Sequence, residues 1–224
     1  MDRYVVRVWL PDRPGALGQV ASRIGAVRGD VVGIEILERG AGRAIDELVV
    51  ELPEGTETDL LVAEIGEVDG VDVEDVRPLT GDRHADDLDA LDTMAHLAEQ
   101  WHTGGDHLLC DELTDLLETD WAVVALREPP TVLAVRGTAP PLPWLLAFSE
   151  GAQHLADDVH AGPQDVAWAA LPATGRVVAV GRKSRPLRWR ERTTLTLIAR
   201  LADALGQSDG SHRSARSTAR RQPA

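Results

Sequence analysis

The chain has 224 residues, of which 43% are hydrophobic, enough to bury one large core or two small ones. Its net charge is −14 at neutral pH, and such an acidic body repels phosphate backbones, which disfavours nucleic acid as a partner. No apolar run approaches the roughly 20 residues of a membrane helix. The single cysteine excludes a disulfide framework within the chain, and a strand-like segment soon after Met1 leaves no room for a signal peptide. We therefore expect a cytoplasmic protein without a membrane span.

The first 80 residues alternate between strand and helix patterns. Tyr4–Leu10 is rich in β-branched and aromatic residues, and the apolar residues that follow recur on one helical face up to Val27. Thr56 and Asp59 have the spacing of a capping box. The other predicted elements are a strand at 31–38, a hairpin turn at 38–43, a strand at 44–52, a helix after 56 and a strand at 71–76. This β-α-β-β-α-β order predicts a ferredoxin-like antiparallel sheet with both helices on one face.

The rest of the chain predicts a second α+β domain. Residues 80–87 are polar and aperiodic, which is typical of a linker, and residues 207–224 predict a disordered basic tail. Between them, 88–206 contains a leucine-rich helical stretch interrupted at Gly104-Gly105, strand pairs at 121–126 with 131–136 and 166–171 with 177–181, a helix at 144–155 and a closing helix at 189–205.

The charges of this second half are unevenly distributed. Residues 81–120 contain one arginine and twelve acidic residues. The only basic cluster of the folded part consists of Arg182, Lys183, Arg185, Arg188, Arg190 and Arg192. We expect this cluster to pair with the acidic segment rather than to form a nucleic-acid surface.

The stretch "LPDRPGALGQVASRIG" joins the first strand to the first helix through a Pro-Gly turn. A helix beginning near Pro14 would leave the amides of Gly15, Ala16 and Leu17 without acceptors. Three donors at the positive end of a helix dipole suit a carboxylate, and Asp12 could pair with an ammonium group. The turn therefore predicts a site for an amino acid; the alternative is that Asp12 only caps or braces the turn.

Residues 1–78 also resemble the ACT domain family, through Asp12, Pro14, Gly15 and Leu17 in this turn and through the order of the elements. The resemblance implies regulation by amino acids, side-by-side homodimers with a continuous eight-stranded sheet, and a ligand at the dimer interface. A glycine in the second strand indicates a further close backbone approach, to a ligand or to a partner chain. The candidate ligand-binding residues are Asp12, Arg13, Pro14, Gly15, Ala16, Leu17, Gly33 and Ile34.

Residues 88–206 look more loosely like a GAF-type sensory domain. The likeness rests on the leucine-rich first helix, the strand "TDWAVVAL" and the closing segment "RPLRWRERTTLTLIARLAD". It implies an α/β/α sandwich with an antiparallel sheet. The segment is short for that family, so its ligand pocket is expected to be reduced or absent.

One cluster could instead hold a metal ion. His96, His102 and His107 lie close in sequence to Asp106, Cys110 and Asp111. The spacing matches no established metal motif, so we favour an exposed acidic helix with Cys110 buried. No nucleophile elbow, phosphate loop or dinucleotide motif appears, so we expect neither enzymatic activity nor a cofactor or metal.

The sequence therefore favours a regulatory protein that binds an amino acid, or a similar small carboxylate, in its first domain and relays the signal through the second. The alternative is a dimerisation or interaction scaffold without a small ligand.

Overall fold

The structure is a computed structural model that describes residues 1–79, 87–153 and 164–219. The chain forms two compact units, Met1–Asp89 and Ala90–Ala224. Residues 80–86 of the predicted linker lie outside the described part. No helix among the described residues has the length and hydropathy needed to cross a membrane.

The first unit has the predicted order of elements in an α+β fold. Its four strands form one antiparallel sheet in the order β2-β3-β1-β4. The elements are β1 (Asp2–Pro11), α1 (Ala16–Ala26), β2 (Asp30–Gly40), β3 (Arg43–Leu52), α2 (Thr58–Gly66) and β4 (Asp72–Pro78). The predicted β-α-β-β-α-β arrangement is confirmed.

Both helices of this unit pack on the same face of the sheet. Val20 and Ile24 of α1 and Leu61 and Ile65 of α2 are fully buried, in one apolar cluster with strand residues such as Leu48. Each helix contributes residues four positions apart because those side chains share one helical face.

The predicted capping box at the start of α2 is wrong. Thr56 lies in the preceding turn, where its amide bonds to the carbonyl oxygen of Pro53. The residue at the N-cap is Glu57, which makes no side-chain capping bond. The helix therefore begins too late for the hydroxyl of Thr56 to cap it.

Ion pairs join the strands on the other face of this sheet. Arg7 of β1 lies opposite Glu47 of β3 and is 1% exposed, with its Nη2 2.7 Å from a Glu47 oxygen. Arg77 bonds to the second oxygen of Glu47. Burial acts to raise the pKa of Glu47, but the two guanidinium groups outweigh it and hold that pKa below its ordinary value. Four residues along the same strands, Arg3 and Glu51 form a similar but exposed pair.

The second unit is also an α+β fold with one antiparallel sheet, of order β6-β5-β8-β7. Its elements are α3 (Asp87–Gln100), a 3₁₀ helix (Trp101–Thr103), α4 (Gly105–Leu116), β5 (Trp121–Leu126), β6 (Thr131–Gly137), α5 (Leu142–Gln153), β7 (Val166–Leu171), β8 (Arg176–Gly181) and α6 (Trp189–Ala219). The predicted helix interruption at Gly104-Gly105 is confirmed.

Two apolar clusters lie on opposite faces of this second sheet. Ala122 and Val124 of β5 share one cluster with residues of α4 and α6. Trp121 and Val123 share the other with Leu145 of α5. Neighbouring residues of a strand point to opposite faces, so helices cover both sides of the sheet.

Part of the basic cluster pairs with the end of the acidic segment, as predicted. Arg182 is 1% exposed and donates to the carbonyl oxygen of Leu117 at 2.6 Å and to the carboxylate of Glu191 at 2.5 Å. Arg185 forms an ion pair with Glu118. These contacts stabilise the loop that connects β8 to α6.

The closing helix is longer than the sequence indicated. The sequence predicts a helix end near Leu205 followed by a disordered tail, 207–224, whereas α6 continues to Ala219. The added segment has no proline before Pro223, and its serine, alanine and arginine residues are compatible with a helix. Residues 220–224 lie outside the described part.

Candidate functional site

The turn between β1 and α1 is held by backbone bonds on both sides. The amide of Asp12 donates to the carbonyl oxygen of Gly42 at 2.9 Å, and that of Arg13 donates to Pro11 at 2.8 Å. Gly15 has a left-handed backbone with φ of +86°, which favours glycine. The helix consequently begins at Ala16, later than the Pro14 start that the sequence predicted.

This later start changes which amides are free. The amide of Ala16 donates to the carbonyl oxygen of Arg13 at 3.3 Å, and the Ala16 side chain is buried, so Ala16 is wrong as a predicted donor. The amides of Gly15, Leu17 and Gly18 have no acceptor among the described residues. Two of the three predicted donors therefore remain, and Gly18 adds a third.

Asp12 does not cap α1. The N-cap position belongs to Gly15, and no side chain bonds to the helix start there. The side chain of Asp12 is exposed, as are those of its neighbours Arg13 and Pro14. Asp12 is therefore not the N-cap residue of α1, and the alternative that it braces the turn stays open.

A shallow cavity of about 300 Å³ lies beside this turn. It is lined by Arg13, Gln19, Ser22, Arg23, Glu67, Val68 and Asp69, from the turn, α1 and the connection between α2 and β4. Its lining carries charges of both signs, and the side chain of Arg13 donates to Gln19 at 3.1 Å. Of the predicted site residues, Arg13 alone belongs to this lining.

The two predicted residues of β2 do not join the turn within one chain. Gly33 lies opposite Val49, which lies opposite Val5, whereas the turn follows Pro11 at the far end of β1. Six residues of strand separate these positions, roughly 20 Å. Gly33 is close-packed, since a Cβ there would lie 3.2 Å from a Val49 methyl carbon. Ile34, next along β2, is 49% exposed.

The sequence did carry a signal for one further residue. Asp46 lies on β3 between Ala44 and Leu48, both of which pack in the core beneath the helices. Alternation therefore directs Asp46 to the same face. It is 3% exposed, and its Oδ1 has no hydrogen-bond partner among the described residues. A charged residue among the apolar residues of the strand's inward face is the pattern that reveals it.

Two histidines of the second unit form hydrogen bonds with acidic side chains of neighbouring elements. His96 is 2.6 Å from Glu112, and His102 is 3.0 Å from Asp209. Within the described ranges, no three histidine, cysteine or acidic side chains are grouped so that they could hold a metal ion. Burial raises the pKa of the Cys110 thiol to about 12, which leaves it protonated and unreactive at neutral pH.

The second unit has a cavity of its own, of about 290 Å³. Asp106 and Arg176 face it as an ion pair, with 2.6 Å between oxygen and nitrogen. Burial is the main cause that raises the pKa of Asp106, although Arg176 acts in the opposite direction. Asp209 at the same cavity is also paired, with His102. The two acidic residues of this lining therefore give no indication of a bound cation.

No protein-family model and no curated protein matches the chain. Several solved structures resemble it weakly, including these three. An ACT domain protein from Streptococcus pneumoniae is 16% identical, with a TM-score of 0.30 over 34% of this chain and 89% of the other. The C-terminal domain of the MgtC protein from Mycobacterium tuberculosis is 21% identical, with a TM-score of 0.29 over 38% and 95%. An unknown protein from Galdieria sulphuraria is 12% identical, with a TM-score of 0.33 over 92% and 94%. With TM-scores this low, no function follows from these similarities.

Proposed function

We propose that the first unit binds an amino acid, or a similar small carboxylate with an ammonium group, and that the protein is regulatory rather than an enzyme. The observation that carries the proposal is the β1–α1 turn, in which the amides of Gly15, Leu17 and Gly18 lack acceptors beside the exposed carboxylate of Asp12. Amides at a helix start favour a carboxylate, and Asp12 favours an ammonium group. The ACT-like motif in the same turn supports this assignment.

The second unit, which resembles a GAF domain in sequence, would relay binding to a target. The signal requires that the ligand have different affinities for two states of the protein. The single, buried cysteine fits a reducing compartment, and we propose that the protein acts in the cytoplasm.

We expect at least one of the twenty protein amino acids to raise the melting temperature of the full chain. At about 100-fold excess over its Kd, a specific ligand stabilises the folded state by about 2.7 kcal/mol. A thermal-shift panel with each amino acid in turn measures this effect. A flat panel would refute binding of a protein amino acid and favour the scaffold function.

The scaffold function rests on the edge strand β2. This strand has eleven residues, and three alternate ones, Val32, Ile34 and Ile36, are between 39% and 49% exposed. An exposed apolar edge is a template for pairing with another strand. We propose that two copies associate side by side through β2, with or without a ligand.

Replacing Ile34 with arginine is expected to convert the proposed dimer to a monomer. The variant places a charge on β2, which the second copy would bury in the dimer. Sedimentation equilibrium of the full chain measures the change. Leu60→Arg, which alters an equally exposed leucine on α2, is the control and should leave the dimer intact. A dimer that survives Ile34→Arg would show that β2 is not the interface.

A further inference from the structure

Arg43 lies where three loops of the first unit meet. It is the first residue of β3, directly after the β2–β3 hairpin turn, and it lies opposite Pro11, the last residue of β1. Its Nη2 donates to the carbonyl oxygen of Gly70 at 3.1 Å and to the carboxylate of Asp72 at 2.7 Å. Arg43 therefore links the hairpin to the connection between α2 and β4.

The indole ring of Trp9 supports this arginine. The guanidinium carbon of Arg43 lies over the ring, 5.2 Å from its centroid, where a cation is attracted to the ring face. The Nε1 of Trp9 donates to Glu74 of β4 at 3.1 Å, so the ring is held as well. These contacts fix the orientation of the guanidinium, although 40% of the Arg43 side chain is exposed.

The two segments that Arg43 links both contact the β1–α1 turn. On the hairpin side, the carbonyl oxygen of Gly42 accepts the amide of Asp12 at 2.9 Å. On the other side, a Cβ at Gly70 would lie 3.1 Å from Cγ of Pro11, so the Gly70 backbone packs against the proline ring. The same connection lines the cavity beside the turn. The start of the turn is thus held between two segments that Arg43 joins.

We propose that Arg43 is a positioning residue of the ligand site, which raises affinity by holding the β1–α1 turn in its binding geometry. This inference rests on the proposed function of the turn. The arginine does not contact the ligand, whose carboxylate binds to the turn amides. A site that is already ordered loses less conformational entropy when a ligand binds, so bracing the turn increases affinity without adding a contact.

The test removes the guanidinium in Arg43→Met, which keeps an unbranched apolar side chain over Trp9. Calorimetric titration of the full chain uses the amino acid that gives the largest thermal shift in the panel. We expect Arg43→Met to bind this amino acid about fivefold more weakly or worse, a loss equal to one ordinary hydrogen bond.

Hydrogen exchange in the unliganded chain provides a measurement at the turn itself. The amide of Asp12 is protected by its bond to Gly42, and it exchanges when the hairpin and the turn separate. If Arg43 holds them together, this amide should exchange about fivefold faster or more in Arg43→Met.

Arg3→Met is the matched control for both measurements. Arg3 forms an ion pair with Glu51 of the same length, 2.7 Å, in the same sheet, and half of its side chain is exposed. This pair lies at the end of β1 remote from the turn. Arg3→Met should keep the wild-type affinity and the wild-type exchange of Asp12. Each variant should melt within about 4 °C of the wild type, because exposed ion pairs contribute little stability.

The outcomes separate the two proposals. Unchanged affinity or unchanged exchange of Asp12 in Arg43→Met, or equal effects in Arg3→Met, would overturn the role of Arg43 while leaving an amino acid site at the turn. If no amino acid binds the wild type at all, the proposed function is wrong, and the role of Arg43 in binding is overturned with it.

Discussion

Replacing Arg7 with leucine is expected to lower the free energy of unfolding by about 3 kcal/mol. The guanidinium is 1% exposed and forms an ion pair with Glu47 across β1 and β3, so the variant leaves a buried carboxylate with one cationic partner fewer. Arg77 still contacts Glu47, which keeps the loss at the lower end of the range for broken buried pairs. Urea denaturation of the full chain, followed by circular dichroism, measures it.

The exposed pair on the same two strands is the matched control. Arg3 and Glu51 have a similar separation, 2.7 Å, but half of the Arg3 side chain is exposed. Solvent screens such a pair, so Arg3→Leu should cost less than about 1 kcal/mol. Equal losses in the two variants would mean that burial of Arg7 contributes nothing.

The effect of Arg7→Leu should also depend on pH. Because the folded-state pKa of Glu47 is lowered, this carboxylate stabilises the fold above its ordinary pKa of 4.5. The contribution disappears as the pH falls through the lowered value. The stability difference between wild type and Arg7→Leu should therefore be largest above about pH 5 and shrink in more acidic solution.

The second large effect is expected at Gly15, where valine should weaken ligand binding by about 100-fold or more, the equivalent of two charged hydrogen bonds. A Cβ on Gly15 meets no protein atom within 4 Å, so the new side chain extends into the open space at this turn, which the proposed ligand would occupy. The free energy of unfolding should fall by about 1–3 kcal/mol, because valine is strained at the positive φ of this position.

Gly55→Val separates backbone strain from loss of the site. Gly55 has φ of +80° and equally open surroundings, but it lies in the turn between β3 and α2. The two variants should therefore lose similar stability, and only Gly15→Val should lose binding.

Periodicity made most of the first unit predictable. In β3, Leu48, Val50 and Leu52 alternate as an inward face, and the predicted strand at 44–52 differs from Arg43–Leu52 by one residue. The leucine and isoleucine spacing in α2 located that helix in the same way. Such patterns indicate which residues are buried, and the spacing of buried residues distinguishes a strand from a helix.

The details of the β1–α1 turn could not be predicted, because they depend on backbone angles. Proline and glycine indicate a turn, but the left-handed conformation of Gly15 places the helix start at Ala16. The amide of Ala16 then donates to the carbonyl oxygen of Arg13 and is not free for a ligand. A local sequence pattern also cannot predict which residues of distant strands lie opposite each other. Strand alternation places Asp46 on the inward face with Leu48, but the missing hydrogen-bond partner of its Oδ1 depends on contacts that only the structure shows.

The measurement that tests the central claim most directly is calorimetric titration of the full-length wild type, Gly15→Val and Gly55→Val with the amino acid that gives the largest thermal shift in the panel. The account predicts saturable binding to the wild type and to Gly55→Val, and binding about 100-fold weaker or undetectable to Gly15→Val. Undiminished affinity in Gly15→Val, or an equal loss in Gly55→Val, would contradict a ligand site at the β1–α1 turn.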